Sequence, residues 1–240
     1  GLGGFAMLAA LKNMDHLFAV HPLTRNAKIS AWRRFIGWQI ASRLRPEMEF
    51  DWVGKQKLVV RRGMTGATGN IYVGLHEFVE MGLLLHYLRP GDLFLDIGAN
   101  IGSFTILASG VSGAESWAFE PDPDVMADLK KNVAINKLEH LVKPCPYALG
   151  GSEGEVRFTV GLAESINRVA TDADKTVRIV PMKTVDGLLQ GRGANMFKMD
   201  VEGYEEEVLK GAEATLANRS LQVIEVEGMT SSIRALLERH

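Results

Sequence analysis

A single cysteine, Cys145, is all the thiol in 240 residues, which excludes an internal disulfide and a cysteine-rich zinc site. Its place in a strand-like run predicts a core residue, not a reactive thiol. Nothing points away from a reducing compartment, and a cytoplasmic location is expected. An excess of one charge is lacking too: 27 Lys and Arg against 29 Asp and Glu leave a net charge of −2, so no general attraction to nucleic acid is expected. Nor is there a run fit to cross a bilayer. The apolar stretch from Phe5 to Val20 is broken by Lys12 and Asp15, and it predicts an amphipathic helix. What is present is an apolar fraction of 46% and a mean hydropathy of +0.01, which describe a globular chain long enough for one large α/β domain with an extension. The first residue is glycine, as expected of a processed or engineered product.

A further absence is more specific. Between Gly91 and Pro121 a short apolar run, Leu93-Phe94-Leu95-Asp96-Ile97, leads into Gly98-Ala99-Asn100-Ile101-Gly102, a helical pattern and a second run ending in Phe119-Glu120-Pro121. This predicts a buried parallel strand, a helix and a second strand. The third glycine of the dinucleotide pattern G-x-G-x-x-G is missing. The pattern is instead Asp-x-Gly-x-x-x-Gly, with Asp96 in the turn itself, whose carboxylate would repel a pyrophosphate but suits a ligand bearing an ammonium or a sulfonium. S-adenosylmethionine carries both. The predicted cradle is Gly98, Ala99, Asn100 and Gly102. Glu120, 18 residues beyond Gly102, would accept the ribose hydroxyls, with Pro121 beside it. Read singly, Asp96 is an ordinary helix cap and Glu120 an ordinary strand end.

These motifs, together with Ala148-Leu149-Gly150 and Lys198-Met199-Asp200-Val201-Glu202-Gly203-Tyr204-Glu205, resemble the successive motifs of FkbM-type S-adenosylmethionine-dependent methyltransferases over about residues 70–228. The resemblance implies a Rossmann-like class I methyltransferase fold and O-methylation of sugars or other hydroxylated metabolites. The expected sheet is mostly parallel and doubly wound in the order 3-2-1-4-5, which brings Asp96, Glu120 and Asp200 together. Seven-stranded enzymes of this kind add two strands beyond the fifth. Here either the chain is cut short or an amino-terminal hairpin substitutes for them.

Residues 1–75 read as a helical and hairpin extension, residues 76–240 as the cofactor-binding domain. Within the extension, residues 25–45 interleave Arg25, Lys28, Arg33, Arg34, Arg43 and Arg45 with Trp32, Phe35, Ile36, Trp38 and Ile40, the pattern of a basic amphipathic helix. A solvated basic face is the expected reading, ahead of membrane-surface binding. Leu58-Val59-Val60 and Ile71-Tyr72-Val73, separated by glycine-rich residues 63–70, predict a hairpin. A helix over 76–89 would close on the methionine end of the cofactor, where Glu77 and Glu80 can meet the ammonium. His76 reads as a packed or surface histidine.

Asp124 signals the start of a helix over 122–136, on which Asn132 and Asn136 suit either an adenine neighbour or plain surface. Residues 141–149 read as the third strand, with Ala148 beside the adenine. Strands near 155–160 and 177–182 enclose a polar loop whose Ser165, Asn167 and Arg168 are candidates for acceptor contact. Asp200 ends the fourth strand, and Glu205, Glu206 and Glu207 suit the dipole of the following helix.

No histidine stands in the turn after that strand, so a carboxylate is the available base: Asp200 first, Glu202 second. A divalent metal on Asp200, Glu202 and Glu225 is the less favoured variant. The expected partner is a small-molecule or glycan acceptor, with self-association left open. Rival readings are a nucleotide-dependent oxidoreductase, against which the acidic turn argues, and a non-catalytic module that binds cofactor and docks through the basic helix.

Overall fold

Two helices precede any strand. The computed structural model describes residues 2–159, 168–171 and 177–240, and in it α1 (Leu2–Val20) packs on α2 (Lys28–Leu44) through an aromatic cluster. The Phe18 ring meets Trp32 edge-on at 5.3 Å, and Phe35 meets Tyr72 at 5.1 Å. At the joint, His21 Nε2 donates to Leu75 O over 2.8 Å, with His21 Nδ1 accepting from Leu23 N.

The hairpin exists, but with another partner. β1 (Glu47–Asp51) pairs antiparallel with β2 (Lys57–Arg61), turning at Gly54, whose φ is +64°. Residues Thr65–Val73 form helix α3 instead of a strand. Met64 just before it, Ala67 and Ile71 are buried at a helical spacing that the glycines obscured, and Asn70, Tyr72 and Val73 are buried with them. The hairpin does not substitute for missing sheet strands, because it stands outside the central sheet. It is held instead by Asn132 and Asn136. Asn132 Oδ1 accepts from Val59 N at 2.7 Å while its amide donates to Ile101 O at 2.9 Å. Asn136 accepts from Lys57 N and donates to Lys57 O. Neither asparagine is near-adenine or surface in character; both replace a neighbouring strand.

The remaining elements alternate. α4 (Phe78–Tyr87) leads to β3 (Leu93–Ile97), then α5 (Ser103–Ile106), which runs on as a single π turn to Val111, and β4 (Glu115–Phe119). α6 (Pro123–Ile135) is capped by Asp122, which accepts from Asp124 N, so the start signal lies two residues before the one expected. The expected third strand divides into β5 (Val142–Cys145) and β6 (Ala148–Leu149). β7 (Gly154–Thr159) and β8 (Val177–Lys183) follow, then α7 (Val185–Leu189), β9 (Met196–Met199), α8 (Glu205–Lys210), α9 (Glu213–Leu216), β10 (Val223–Val226) and α10 (Ser231–Leu237).

Five strands make a wholly parallel sheet in the order β5-β4-β3-β9-β10. This is the expected 3-2-1-4-5 winding. One face of β3 and β9, with Leu95, Ile97, Phe197 and Met199, packs on Val185, Leu189, Val208 and Ile233. The opposite face, with Phe94 and Met196, packs on Met81, Leu84, Phe104 and Leu107. Helices on both sides leave the strand ends as the place for a ligand. A second sheet, β6-β8-β7, stands beside the exit of β5. Among the described residues no helix is long and apolar enough to cross a membrane.

Candidate active site

The turn after β3 is forced by contact as much as by conformation. Gly98 has φ +79°, and a Cβ there would lie 1.9 Å from the backbone oxygen of Asp200. The two turns are further tied by Asp200 N donating to Ile97 O over 3.0 Å. Gly98 N and Ala99 N both donate to Phe119 O, which brings the end of β4 to the same point. Above these three strand ends opens a cavity of about 440 Å³, within the range of small-molecule sites.

Glu120 is the best-held carboxylate on its wall. It is buried, its Oε2 accepts from Asn100 N at 3.1 Å, and its Oε1 accepts from Asp122 N at 2.9 Å. Burial pushes its pKa up to about 7 against the pull of those two amides. Each carboxylate oxygen retains a lone pair, so the group can still accept two hydroxyls. Tyr147, Ala148 and Leu149 line the same cavity, as do Gly98, Ala99, Asn100, Pro121 and Glu77.

Two expected residues do not reach the cavity. Gly102 serves the helix start, with φ +89° and the Leu129 side chain against it. Asp96 is fully buried beneath the floor, accepting from Thr105 Oγ1 at 2.6 Å while its Oδ1 has no hydrogen-bond partner among the described residues. It cannot meet a cofactor ammonium directly. Strand register explains its setting: Asp96, Lys198 and Glu225 stand side by side across β3, β9 and β10, a row of acid, base and acid. Burial raises the Asp96 carboxyl, with Lys198 and Thr105 opposing. Burial likewise works against the Lys198 ammonium, but Asp200, Asp96 and Glu77 more than offset it and hold the charge on.

Glu225 ends that row with both carboxyl oxygens buried and, among the described residues, without hydrogen-bond partners. Burial, then the charge of Glu80, raises it from 4.5 to about 8 while Lys198 opposes. A carboxyl raised in the folded state contributes stability below its unfolded pKa and loses it as pH rises through the folded one. Glu225→Gln is therefore expected to match the parent near pH 4.5 and to melt several degrees higher near pH 9. After discounting for solvent reach, that gain corresponds to about 1–2 kcal/mol. Thermal melts of both proteins at the two pH values check it, and equal melting at the high pH would refute it.

At the mouth, Asp200, Glu202 and Glu227 offer oxygens that all lie within 4.8 Å of one another. The third carboxylate of the cluster is thus Glu227, which the sequence reading passed over, and not Glu225. Lys198 Nζ lies 3.2 Å from Asp200 Oδ2. Burial raises Asp200, but the Lys198 charge and hydrogen bonds to Glu227 and Lys198 hold it below the usual carboxylate range. The same hydrogen bond, then the Asp200 charge and burial, lifts Glu227 to about 7. Glu202 is raised by burial and by Asp200 and Glu205, and its backbone sits at φ +53°, the left-handed region that a glutamate enters at a cost of about 1–2 kcal/mol. Glu205 supports that turn: it is buried, and its Oε1 accepts from Val201 N and Gly203 N, each at 3.2 Å. Its role is to hold the loop, beyond the dipole effect expected of it. Of the candidate acceptor contacts, Ser165 and Asn167 lie outside the described residues.

The extension also reaches the site. Met64, Gly66, Ala67 and Asn70 on and before α3 form a wall, and Asn70 Oδ1 fixes the following turn by accepting from His76 N at 2.8 Å. The His76 ring lines the cavity and lies where a Cβ on Gly69 would be, 2.5 Å from it. No local pattern in residues 63–70 announced this wall, since its orientation depends on the β1–β2 hairpin.

A family model, the methyltransferase FkbM domain, matches residues 96–240, more than half of the chain. The chain belongs to the FkbM methyltransferase family. It is 30% identical over 146 residues to the hexuronic acid methyltransferase AglP of Haloferax volcanii, a match covering 60% of this chain and 59% of that protein. It is 28% identical over 190 residues to the 31-O-demethyl-FK506 methyltransferase FkbM of Streptomyces tacrolimicus, covering 64% of this chain and 73% of that one. This chain thus spans less than two thirds of the length of AglP. Among solved structures, the methyltransferase FkbM of Methylobacillus flagellatus aligns at a TM-score of 0.42 and 16% identity, over 80% of this chain and 48% of that chain. The family domain thus includes the strand ends under the cavity, whose wall carries the carboxylates of Glu77, Glu120, Asp200, Glu202 and Glu227.

Proposed function

We propose that this chain is an S-adenosylmethionine-dependent methyltransferase acting on a hydroxyl of a sugar or other hydroxylated metabolite, with a carboxylate pair taking the hydroxyl proton. The observation that carries the reading is the cluster of Asp200, Glu202 and Glu227 at the cavity mouth, with oxygens within 4.8 Å of one another and Lys198 Nζ 3.2 Å from Asp200, next to the turn of Gly98. The similarity to a hexuronic acid methyltransferase and to a 31-O-demethyl-FK506 methyltransferase supports the same acceptor class.

S-adenosylmethionine, when bound, supplies an electrophilic methyl group. The residues that would hold it are the backbone of Gly98, Ala99 and Asn100, Glu120 and Pro121 at the ribose, Ala148 at the base and Glu77 at the methionine end. Positioning supplies much of the acceleration in such a displacement. The chain's chemical share is to remove the proton from the acceptor oxygen as that oxygen becomes nucleophilic. Asp200 accepts it, Glu227 shares it, and the neighbouring Lys198 keeps Asp200 ionised and ready. Glu202 sits at the rim, where it can orient the acceptor. Magnesium on the three carboxylates is the less favoured version, because Lys198 already provides the counter-charge.

Glu120 provides the first check. Loss of its charged hydrogen bonds in Glu120→Ala is expected to weaken S-adenosylmethionine binding by about 1.5–3 kcal/mol. Since the carboxyl sits at about 7 in the free protein and the hydroxyls favour its ionised form, parental affinity should fall as pH drops below 7, and the variant's should not. Calorimetric titration across pH reads both effects; unchanged affinity in a folded Glu120→Ala protein would remove the ribose assignment. The function itself is tested by methyl transfer to a panel of uronic acids, neutral sugars and hydroxylated macrocycles beside amine and carbon acceptors. Product formed only from the latter two would overturn it.

A further inference from the structure

Helix α2 has two apolar faces, and only one of them is packed. Ala31 and Trp38 are buried, and Trp32 and Phe35 lean on the core formed with Phe18 and Tyr72. On another face Ile29 is 75% exposed, Ile36 52%, Ile40 59% and Leu44 78%. Their spacing places them along one stripe of the helix, and Arg33 at one end and Arg43 at the other fall within the same stripe. A row of four large exposed aliphatic side chains on one helix of a folded protein marks an interaction surface.

The charge pattern says what covers it. From Arg25 to Arg45 the chain carries six basic residues and no acidic one, although its overall charge is −2. The negative excess is thus confined to the rest of the molecule. Lys28 is balanced by its ion pair with Asp15, whereas Arg34 donates to Tyr72 O and Arg43 to Gln39, neutral partners that leave both charges in place. A partner that accepts isolated aliphatic side chains and cations from the same convex stripe offers apolar depth and anionic charge over a plane. That is the interface of an anionic bilayer. An acidic protein would need a complementary groove for the helix, and would favour charges and aliphatics on separate strips over the interleaved pattern seen here.

We propose that the outer face of α2 docks the enzyme on anionic lipid surfaces, with Ile29, Ile36, Ile40 and Leu44 entering the headgroup layer and the flanking arginines meeting phosphates. The α2 to α3 contact then lies directly behind the docked face, since Arg34 holds Tyr72 O from both Nε and Nη2, at 3.0 and 2.7 Å. Docking would therefore act on the element that walls the cavity.

The test is sedimentation of the full chain with vesicles of phosphatidylcholine alone and of phosphatidylcholine mixed with phosphatidylglycerol. The expected result is binding at least about tenfold tighter to the mixed vesicles, weakening as salt is raised. Ile36→Asp/Ile40→Asp should abolish it, and Arg33→Gln/Arg45→Gln should weaken it about tenfold or more. These positions are exposed, so both variants should melt with the parent; should the first fail to fold, the second decides alone. Equal binding to both vesicle types, no binding, or binding unchanged by the folded variants overturns the proposal. So does a dimer, seen by sedimentation equilibrium of the parent, that Ile36→Asp/Ile40→Asp splits, because a second copy would then cover the face.

Discussion

Asp200→Asn is expected to lower turnover by about two to four powers of ten while leaving S-adenosylmethionine affinity within a few-fold of the parent. The substitution keeps the size of the side chain and much of its hydrogen bonding but removes the proton acceptor. Lys198 loses its nearest counter-ion, so some loss of stability accompanies the change, of about 1–3 kcal/mol. Turnover is therefore to be normalised to folded protein. Because Glu227 sits at about 7 through its bond to Asp200, parental turnover should rise with pH through neutrality, and Glu227→Gln should remove that limb. Chelator is expected to leave the parental rate unchanged. Loss of activity with chelator and its return with magnesium would transfer the role to a metal on the same three carboxylates. Normal turnover of Asp200→Asn would defeat both versions and leave Asp200 as a residue that merely orders its turn.

Gly98→Ala is expected to be the most damaging single methyl in the chain. Its Cβ would stand 1.9 Å from Asp200 O and 2.8 Å from Asp200 C, both backbone atoms that cannot swing aside. Left-handed φ adds about 1–2 kcal/mol of its own. Displacing the turn after β9 also moves Asp200, so stability should fall by about 3–5 kcal/mol and the remaining folded protein should bind cofactor poorly. Gly102→Ala supplies the contrast. It has a similar φ of +89°, but its nearest contact is the Leu129 side chain at 3.3 Å, which can give by a few tenths of an ångström. Its expected loss is about 1–2 kcal/mol. Melting and binding curves of the two variants read the difference; similar losses would show that backbone strain, not the contact between the two turns, governs this site.

Much of the central sheet was legible because its signals are local. Asp96, Glu120 and Asp200 each end an apolar run and precede a turn, and right-handed winding leaves few other orders than the one found. What could not be read were contacts made at a distance. Ile71-Tyr72-Val73 has strand-favouring side chains, but Met64, Ala67 and Ile71 are buried together on a helix once the hairpin lies against α6. Asp96 looked like a ligand because it closes the strand. Its alternation places it instead on the face covered by α4 and α5, with Thr105 as partner. Glu227 follows a strand whose neighbour is followed by Asp200, and no spacing in sequence reveals that the two carboxylates come within 4.8 Å of each other. Glu205 was hidden among three consecutive glutamates, of which it alone is buried.

The asparagines of α6 have a consequence for solubility. A two-stranded ribbon leaves hydrogen-bonding groups along its outer edges, and such an edge invites strands from other molecules. On the far side of β2, Lys57 offers both its amide and its carbonyl and Val59 its amide, and the side chains of Asn136 and Asn132 already occupy all three. A carboxamide mimics one peptide group at a time, so two such residues one turn apart reproduce the bonding of a short strand without presenting a further edge of their own. The hairpin is thereby closed to templated stacking on that side, and the growth of ordered aggregates from it would have to begin at β1.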